Sequence, residues 1–142
     1  MVRNLYRFYL YIVYIALLCF IVAALRGLLS VALAFTPLRG SAGTLPDHTL
    51  VVQSISFAVI ALVIAGALAA LHYWLIRRDV SSDATAGASA IRSFFLNMTE
   101  ALGIAVAVPL IGFMVIGNLA RYPESGVVEY AATALPILAL VI

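Results

Sequence analysis

Three stretches of this chain, Phe8 to Leu25, Val51 to Ile76 and Ala101 to Ala120, contain no Asp, Glu, Lys or Arg. Each is long enough to cross a hydrocarbon core about 30 Å thick. A fourth apolar run, Val127 to Ile142, reaches the last residue. A chain built this way is expected to be an all-α, polytopic membrane protein of four transmembrane helices, with spans at about 5–29, 50–76, 93–119 and 127–142. Composition agrees, since 65% of the 142 residues are hydrophobic, 10% are charged and mean hydropathy is +1.17. Water-soluble domains are roughly 45 to 50% apolar and about 25% charged. Four spans leave only connections and a short amino-terminal stub, so any working surface lies in the bilayer or at its faces.

The connections carry turn and linker chemistry. Thr36 to Pro46 is rich in Pro and Gly and ends the first span, and Asp47 or Thr49 is placed to cap the second. A polar Ser/Ala/Gly stretch follows Arg77-Arg78-Asp79, within an expected inner-face loop at 77–92. Pro109 predicts a bend in the third span, and Arg121 to Gly126 predicts a tight turn. Arg3, Arg7, Arg77, Arg78 and Arg92 flank one face of the bilayer, whereas Arg39 and Arg121 lie in connections on the other. Positive charge in short loops is retained on the cytoplasmic side, so the amino terminus is expected to be cytoplasmic, in a bacterial inner membrane. The aromatic residues Tyr6, Phe8, Tyr9, Tyr11, Tyr14, Tyr73 and Trp74 gather at the same face, as an interfacial belt does. Arg3 and Arg7 before an apolar stretch, with Ala32-Leu33-Ala34 beyond it, raise the question of a signal peptide. The apolar region exceeds the usual h-region of about 7 to 15 residues, so it is expected to be a retained helix.

The halves resemble each other. Val2-Arg3-Asn4-Leu5-Tyr6 opens the first span as Ile91-Arg92-Ser93-Phe94-Phe95 opens the third, and Val51-Val52-Gln53 opens the second as Val127-Val128-Glu129 opens the fourth. Two hairpins running in the same sense make a parallel repeat. No counterpart of His72 to Arg78 closes the fourth span, so either that span is unusually short or the chain continues past Ile142, and continuation is the expectation.

Helices in lipid approach closely where small residues recur every fourth position. Ala61, Ala65 and Ala69, with Gly66 beside them, mark such a seam in the second span; Cys19, Ala23 and Gly27 mark one in the first, and Gly103 and Ala107 one in the third. Cys19 is the sole cysteine, so no intrachain disulfide or cysteine-based metal site forms, and it is read as a small apolar packer.

The polar residues of the spans sort by depth at about 1.5 Å per residue. His72 and Glu100 fall at overlapping depth and are candidates for a hydrogen-bonded pair linking two helices. A charged carboxylate facing lipid there costs a few kcal/mol, so Glu100 has to carry a proton, meet His72, Arg3 or Arg7, line water or reach the headgroups. Arg26, Gln53, Asn118 and Glu129 lie near the opposite face. Arg26 and Glu129 are placed to pair, although arginines also snorkel to the interface unaided, and snorkelling is the expected state of Arg26. A neutral His72, flanked by Tyr73 and Trp74, is the one residue suited to haem, chlorophyll or a quinone. Its small-residue spacing is interrupted by Leu68, and His48 lies about 36 Å away along a helix, so no bound cofactor and no metal is expected. No catalytic constellation is visible, which argues against an enzyme, and the scattered basic residues argue against nucleic acid.

The segment Arg3-Asn4-Leu5-Tyr6-Arg7-Phe8-Tyr9-Leu10-Tyr11-Ile12-Val13, with Ala70-Leu71-His72-Tyr73-Trp74-Leu75-Ile76-Arg77-Arg78, resembles a bacterial family of membrane proteins, domain of unknown function family 5671. The resemblance implies tandem transmembrane hairpins and no assigned activity. Three roles follow for test: a non-catalytic accessory subunit of a larger respiratory or photosynthetic membrane complex, in contact with lipid and other subunits; a small homo-oligomeric proton or ion channel or transporter using Glu100 and His72; and an electron-transfer subunit with haem or quinone at His72.

Overall fold

The computed structural model describes residues 2–39, 45–82, 89–119 and 127–141. Four α-helices account for nearly all of them: α1 (Val2–Ala34), α2 (His48–Ser82), α3 (Ala90–Leu119) and α4 (Val127–Val141). No strand occurs among the described residues. α1, α2 and α3 are long and apolar enough to cross a membrane. With 33, 35 and 30 residues they measure about 45 to 52 Å, so they either project beyond a core about 30 Å thick or tilt within it. α4 has 15 residues, about 22 Å, and is shorter than that core. The expected tight turn at Arg121 to Gly126 and most of the polar stretch after Asp79 lie outside the described residues.

Local chemistry sets the ends. The Asp47 carboxylate accepts the Leu50 N–H at 2.7 Å, the N-cap contact expected for the second helix. The third helix starts at a cap the spacing did not single out: Ser89 Oγ accepts the Arg92 N–H at 3.3 Å. α1 closes with Thr36, whose hydroxyl donates to the Leu33 carbonyl at 2.6 Å, and a single 3-10 turn, Pro37–Arg39, follows. Pro109 and Pro136 lie inside α3 and α4, and each removes one helical hydrogen bond.

Paired contacts give the directions. Arg7 meets Asp79 and Tyr14 meets Tyr73, so α1 and α2 are antiparallel. Ser30 meets Glu129 and Arg26 meets Thr133, so α4 is antiparallel to α1. Phe95, near the start of α3, packs on Phe8 and Tyr11 near the start of α1, so those two run the same way. The result is two hairpins in the same sense. α1 lies at the centre, packing on α2, on α4 and more lightly on α3, while α2 and α3 make no close helix contact with each other among the described residues.

Small residues carry the seams. On α2 the buried positions are Ala58, Ala65, Ala69 and His72, spaced seven, four and three, the repeat of a left-handed helix crossing. Ala65 and Ala69 were expected there. Ala61 is half-buried at the edge of a groove, and Gly66 is half-buried with open space where a Cβ would stand. The expected seam of α1 is corrected: Cys19 and Ala23 are exposed, and Gly27 also faces open space. The buried face passes instead through Arg7, Leu10, Tyr11, Ala24 and Val31. One residue turns a helix by 100°, so moving from Ala23 to Ala24 changes the face. On α3 the expected Ala107 is fully buried, and on α4 Val127, Ala131, Ala132 and Ala134 are buried.

Candidate functional site

Two ion pairs join α1 to its neighbours. At the amino-terminal end, Arg7 Nε donates to Asp79 Oδ2 at 2.7 Å, with side chains only 7% and 15% exposed. At the other end, Arg26 Nη2 donates to Glu129 Oε2 at 3.0 Å, with side chains 53% and 54% exposed. Ser30 Oγ donates to Glu129 Oε1 at 2.6 Å, and Arg26 Nε donates to Thr133 Oγ1 at 2.9 Å. Snorkelling alone therefore does not describe Arg26: a carboxylate one helix away satisfies its guanidinium. The 19 positions separating Arg7 from Arg26 along α1 correspond to about 28 Å, close to the thickness of a hydrocarbon core. The two pairs thus bracket the apolar layer.

Aromatic rings close the amino-terminal end. Phe95 stacks on Tyr11 at 5.6 Å between centroids, lies 5.4 Å from Phe8 and meets Phe94 edge-on. Tyr9 lies 6.3 Å from His72, Tyr14 the same distance from Tyr73, and the Arg78 guanidinium lies 5.5 Å above the Trp74 ring. Aromatic residues expected as an interfacial belt therefore also act as helix contacts, and Tyr11 and its partner Phe95 are buried.

His72 and Glu100 share a depth but not a contact. Phe95 is level with Phe8 to Tyr11, which puts Glu100 roughly 9 to 14 Å further into the layer than Arg7; His72 lies between the levels of Tyr9 and Tyr14. α1 separates them, because Tyr9 faces His72 while Phe8 and Tyr11 face α3. The expected pair is therefore not formed within the chain. His72 is buried, and its Nδ1 lies 2.8 Å from the Leu68 carbonyl. A carbonyl only accepts, so Nδ1 donates and Nε2 presents the lone pair. Among the described residues no fully buried side-chain nitrogen or oxygen lacks a partner, so Nε2 is not sealed inside the fold. Glu100 is exposed on α3 and makes no hydrogen bond or ion pair among the described residues. Gln53 is exposed on α2; the side chain of Asn118 lies outside the described residues.

Among the described residues, grooves open at the apolar layer on both sides of α1. One, of about 260 Å³, lies between α1, α3 and α4 and is bounded by Leu18, Cys19, Thr99, Gly103 and Leu140. The other, of about 300 Å³, lies between α1 and α2 and is bounded by Phe20, Phe57, Ala61 and Ala65. Neither carries a charged side chain. Among the described residues no group of three or more His, Cys, Asp or Glu is placed to hold a metal ion. The His72 acceptor nitrogen, the outward Glu100 carboxylate and these apolar grooves are arranged separately. No protein-family model, curated protein or solved structure matches the chain.

Sequence reasoning missed Asp79 as the partner of Arg7, and Ser30 and Thr133 as members of the Arg26 network. Charge signs and end positions carry the first, since Arg7 and Asp79 sit at matching ends of an antiparallel hairpin. Thr133 lies one turn beyond Glu129 on α4, and that spacing carries the second.

Proposed function

We propose that the chain is a non-catalytic accessory subunit of a larger integral membrane complex, respiratory or photosynthetic, in a bacterial inner membrane with its amino terminus cytoplasmic. The observation that supports this is the outward face of α3. Glu100 stands there, exposed and without a partner among the described residues, well inside the layer bracketed by the two ion pairs. A carboxylate facing lipid at that depth is unfavourable by a few kcal/mol. A donor from another protein removes that penalty, so the face reads as a docking surface. The faces of α2 and α3 turned away from α1, with Val63, Ile104 and Val108 exposed, extend it. Mild-detergent purification at native abundance is the test: other membrane subunits co-purify, and a chain that migrates alone as a monodisperse species would overturn the reading.

A second reading has one observation in its favour. With Nδ1 fixed by Leu68, His72 offers Nε2 as an acceptor or ligand, the orientation that ligating histidines take. An electron-transfer subunit with haem or quinone at His72 predicts a cofactor absorbance that is lost in His72→Ala. A channel or transporter using His72 and Glu100 together would need a path around α1; Glu100→Gln would then abolish ion-dependent flux in liposomes.

A further inference from the structure

We infer that α3 docks a second copy of this chain, with Asn97 of each copy donating to Glu100 of the other. This rests on the reading of the α3 face as a docking surface and names its first occupant. Two polar side chains mark the face. Asn97 and Glu100 are both exposed, stand three residues apart, and make no side-chain hydrogen bond among the described residues. Residues three apart are neighbours on one helix face, and this face points away from the contacts of Phe95, which is buried.

One side chain offers two amide donors, and the other offers only acceptors when ionised. Copies inserted in the same sense meet about a two-fold axis along the membrane normal, and such an interface is isologous, with residue i on one copy meeting j on the other and j meeting i. Asn97 and Glu100 differ in height by about 4.5 Å. A helical side chain leans toward the N-terminus of its own helix, which carries the Glu100 carboxylate back toward the level of Asn97 in the other copy. The surface is therefore self-complementary: two symmetric hydrogen bonds satisfy both carboxylates, and no basic residue is required of the partner.

The backbone can come close enough for this. Asn97, Ala101, Ile104 and Val108 are all exposed, and their spacing of four, three and four is that of a left-handed crossing with an asparagine at a core position, a device that fixes register and copy number. Ala101 and the exposed Ala105 beside it leave room for the opposing helix, as small residues do in bilayers.

Disulfide trapping in liposomes holding only this chain tests the inference. In a Cys19→Ser background, Ala101→Cys forms a covalent dimer under mild oxidation, whereas Val63→Cys on the outward face of α2 does not. Glu100→Leu lowers the dimer affinity about tenfold, as expected for two interhelical hydrogen bonds, and Glu100→Gln, which still accepts a hydrogen bond, largely restores it. Circular dichroism verifies that each variant retains its helices. Absence of an Ala101→Cys dimer, equal trapping at Val63→Cys, or a Glu100→Leu dimer as tight as the parent would each overturn the inference; a Glu100 that reaches the headgroups gives the last result. Loss of the dimer with other subunits still co-purifying at native abundance removes this inference alone. A dimer that forms while nothing else co-purifies removes the accessory-subunit reading instead.

Discussion

Arg7–Asp79 and Arg26–Glu129 join α1 to its neighbours with the same pair of functional groups, about 28 Å apart along one helix, yet in different surroundings. The first is nearly inaccessible, its side chains 7% and 15% exposed. The second is about half exposed and shares its atoms with Ser30 and Thr133. Loss of Arg7 leaves the enclosed Asp79 carboxylate without the guanidinium it pairs with. An open pair at the edge of the apolar layer has water and headgroups at hand. The Arg7 end of the bundle is thus held by a specific, breakable lock, whereas the Arg26 end is held by the small-residue packing beneath its polar cap.

The sharpest way to break that contrast is Arg7→Leu. It leaves the Asp79 carboxylate enclosed without its guanidinium, and removing one partner of a buried pair costs about 3 to 5 kcal/mol. Reversible unfolding in mixed micelles should show that loss, and Arg7→Leu with Asp79→Leu should recover most of it. A loss below about 1 kcal/mol would make the two ends equivalent. Next in size is Ala132→Leu. Ala132 is fully buried on α4, one residue before Thr133, and forcing a larger side chain into a packed position costs about 1 to 3 kcal/mol. If the same assay shows no change, packing does not hold the Arg26 end.

Glu129→Ala is smaller. Exposed pairs contribute about 0 to 1 kcal/mol, and the shared hydrogen bonds raise the expectation to about 1 kcal/mol. A double-mutant cycle with Arg26→Ala isolates the coupling. A coupling as large as the Arg7–Asp79 effect would show that lipid insulates this pair as fully as protein insulates the other.

Much of the fold is legible in the sequence because the bilayer imposes one secondary structure on any long uncharged run. The three long spans and the Asp47 cap follow from residues within a few positions of one another. The seam of α1 does not. Ala24 is fully buried, but its neighbours four positions away are Phe20 and Leu28, so no small-residue repeat marks it, while the repeat at Cys19, Ala23 and Gly27 faces outward. Spacing along one helix gives a face; which face is used depends on the partners, and α1 has several. The His72–Glu100 pair fails for the same reason. Depth is a one-dimensional quantity that counting residues recovers, but the lateral arrangement places α1 between them. Arg26–Glu129 is one option in the sequence, because both residues lie near the ends of their helices, where depth and charge sign narrow the choice of partner, but snorkelling is the state the sequence predicts for Arg26.

Gly27 gives the smallest effect and the finest test of the contrast. It follows Arg26 directly, and a Cβ built at this position meets nothing within 4 Å. Alanine is favoured over glycine within a helix by about 1 kcal/mol, mainly through the freedom glycine retains in the unfolded chain. With no clash to oppose that gain, Gly27→Ala should leave stability unchanged or raise it by up to about 1 kcal/mol. Were close packing to surround α1 at its Arg26 end as it surrounds Leu10 and Tyr11 at the other, the added methyl would destabilise instead. A measured loss above about 0.5 kcal/mol would therefore mean that another helix approaches α1 at Gly27 in the membrane, and the openness of this end would belong to the isolated chain alone.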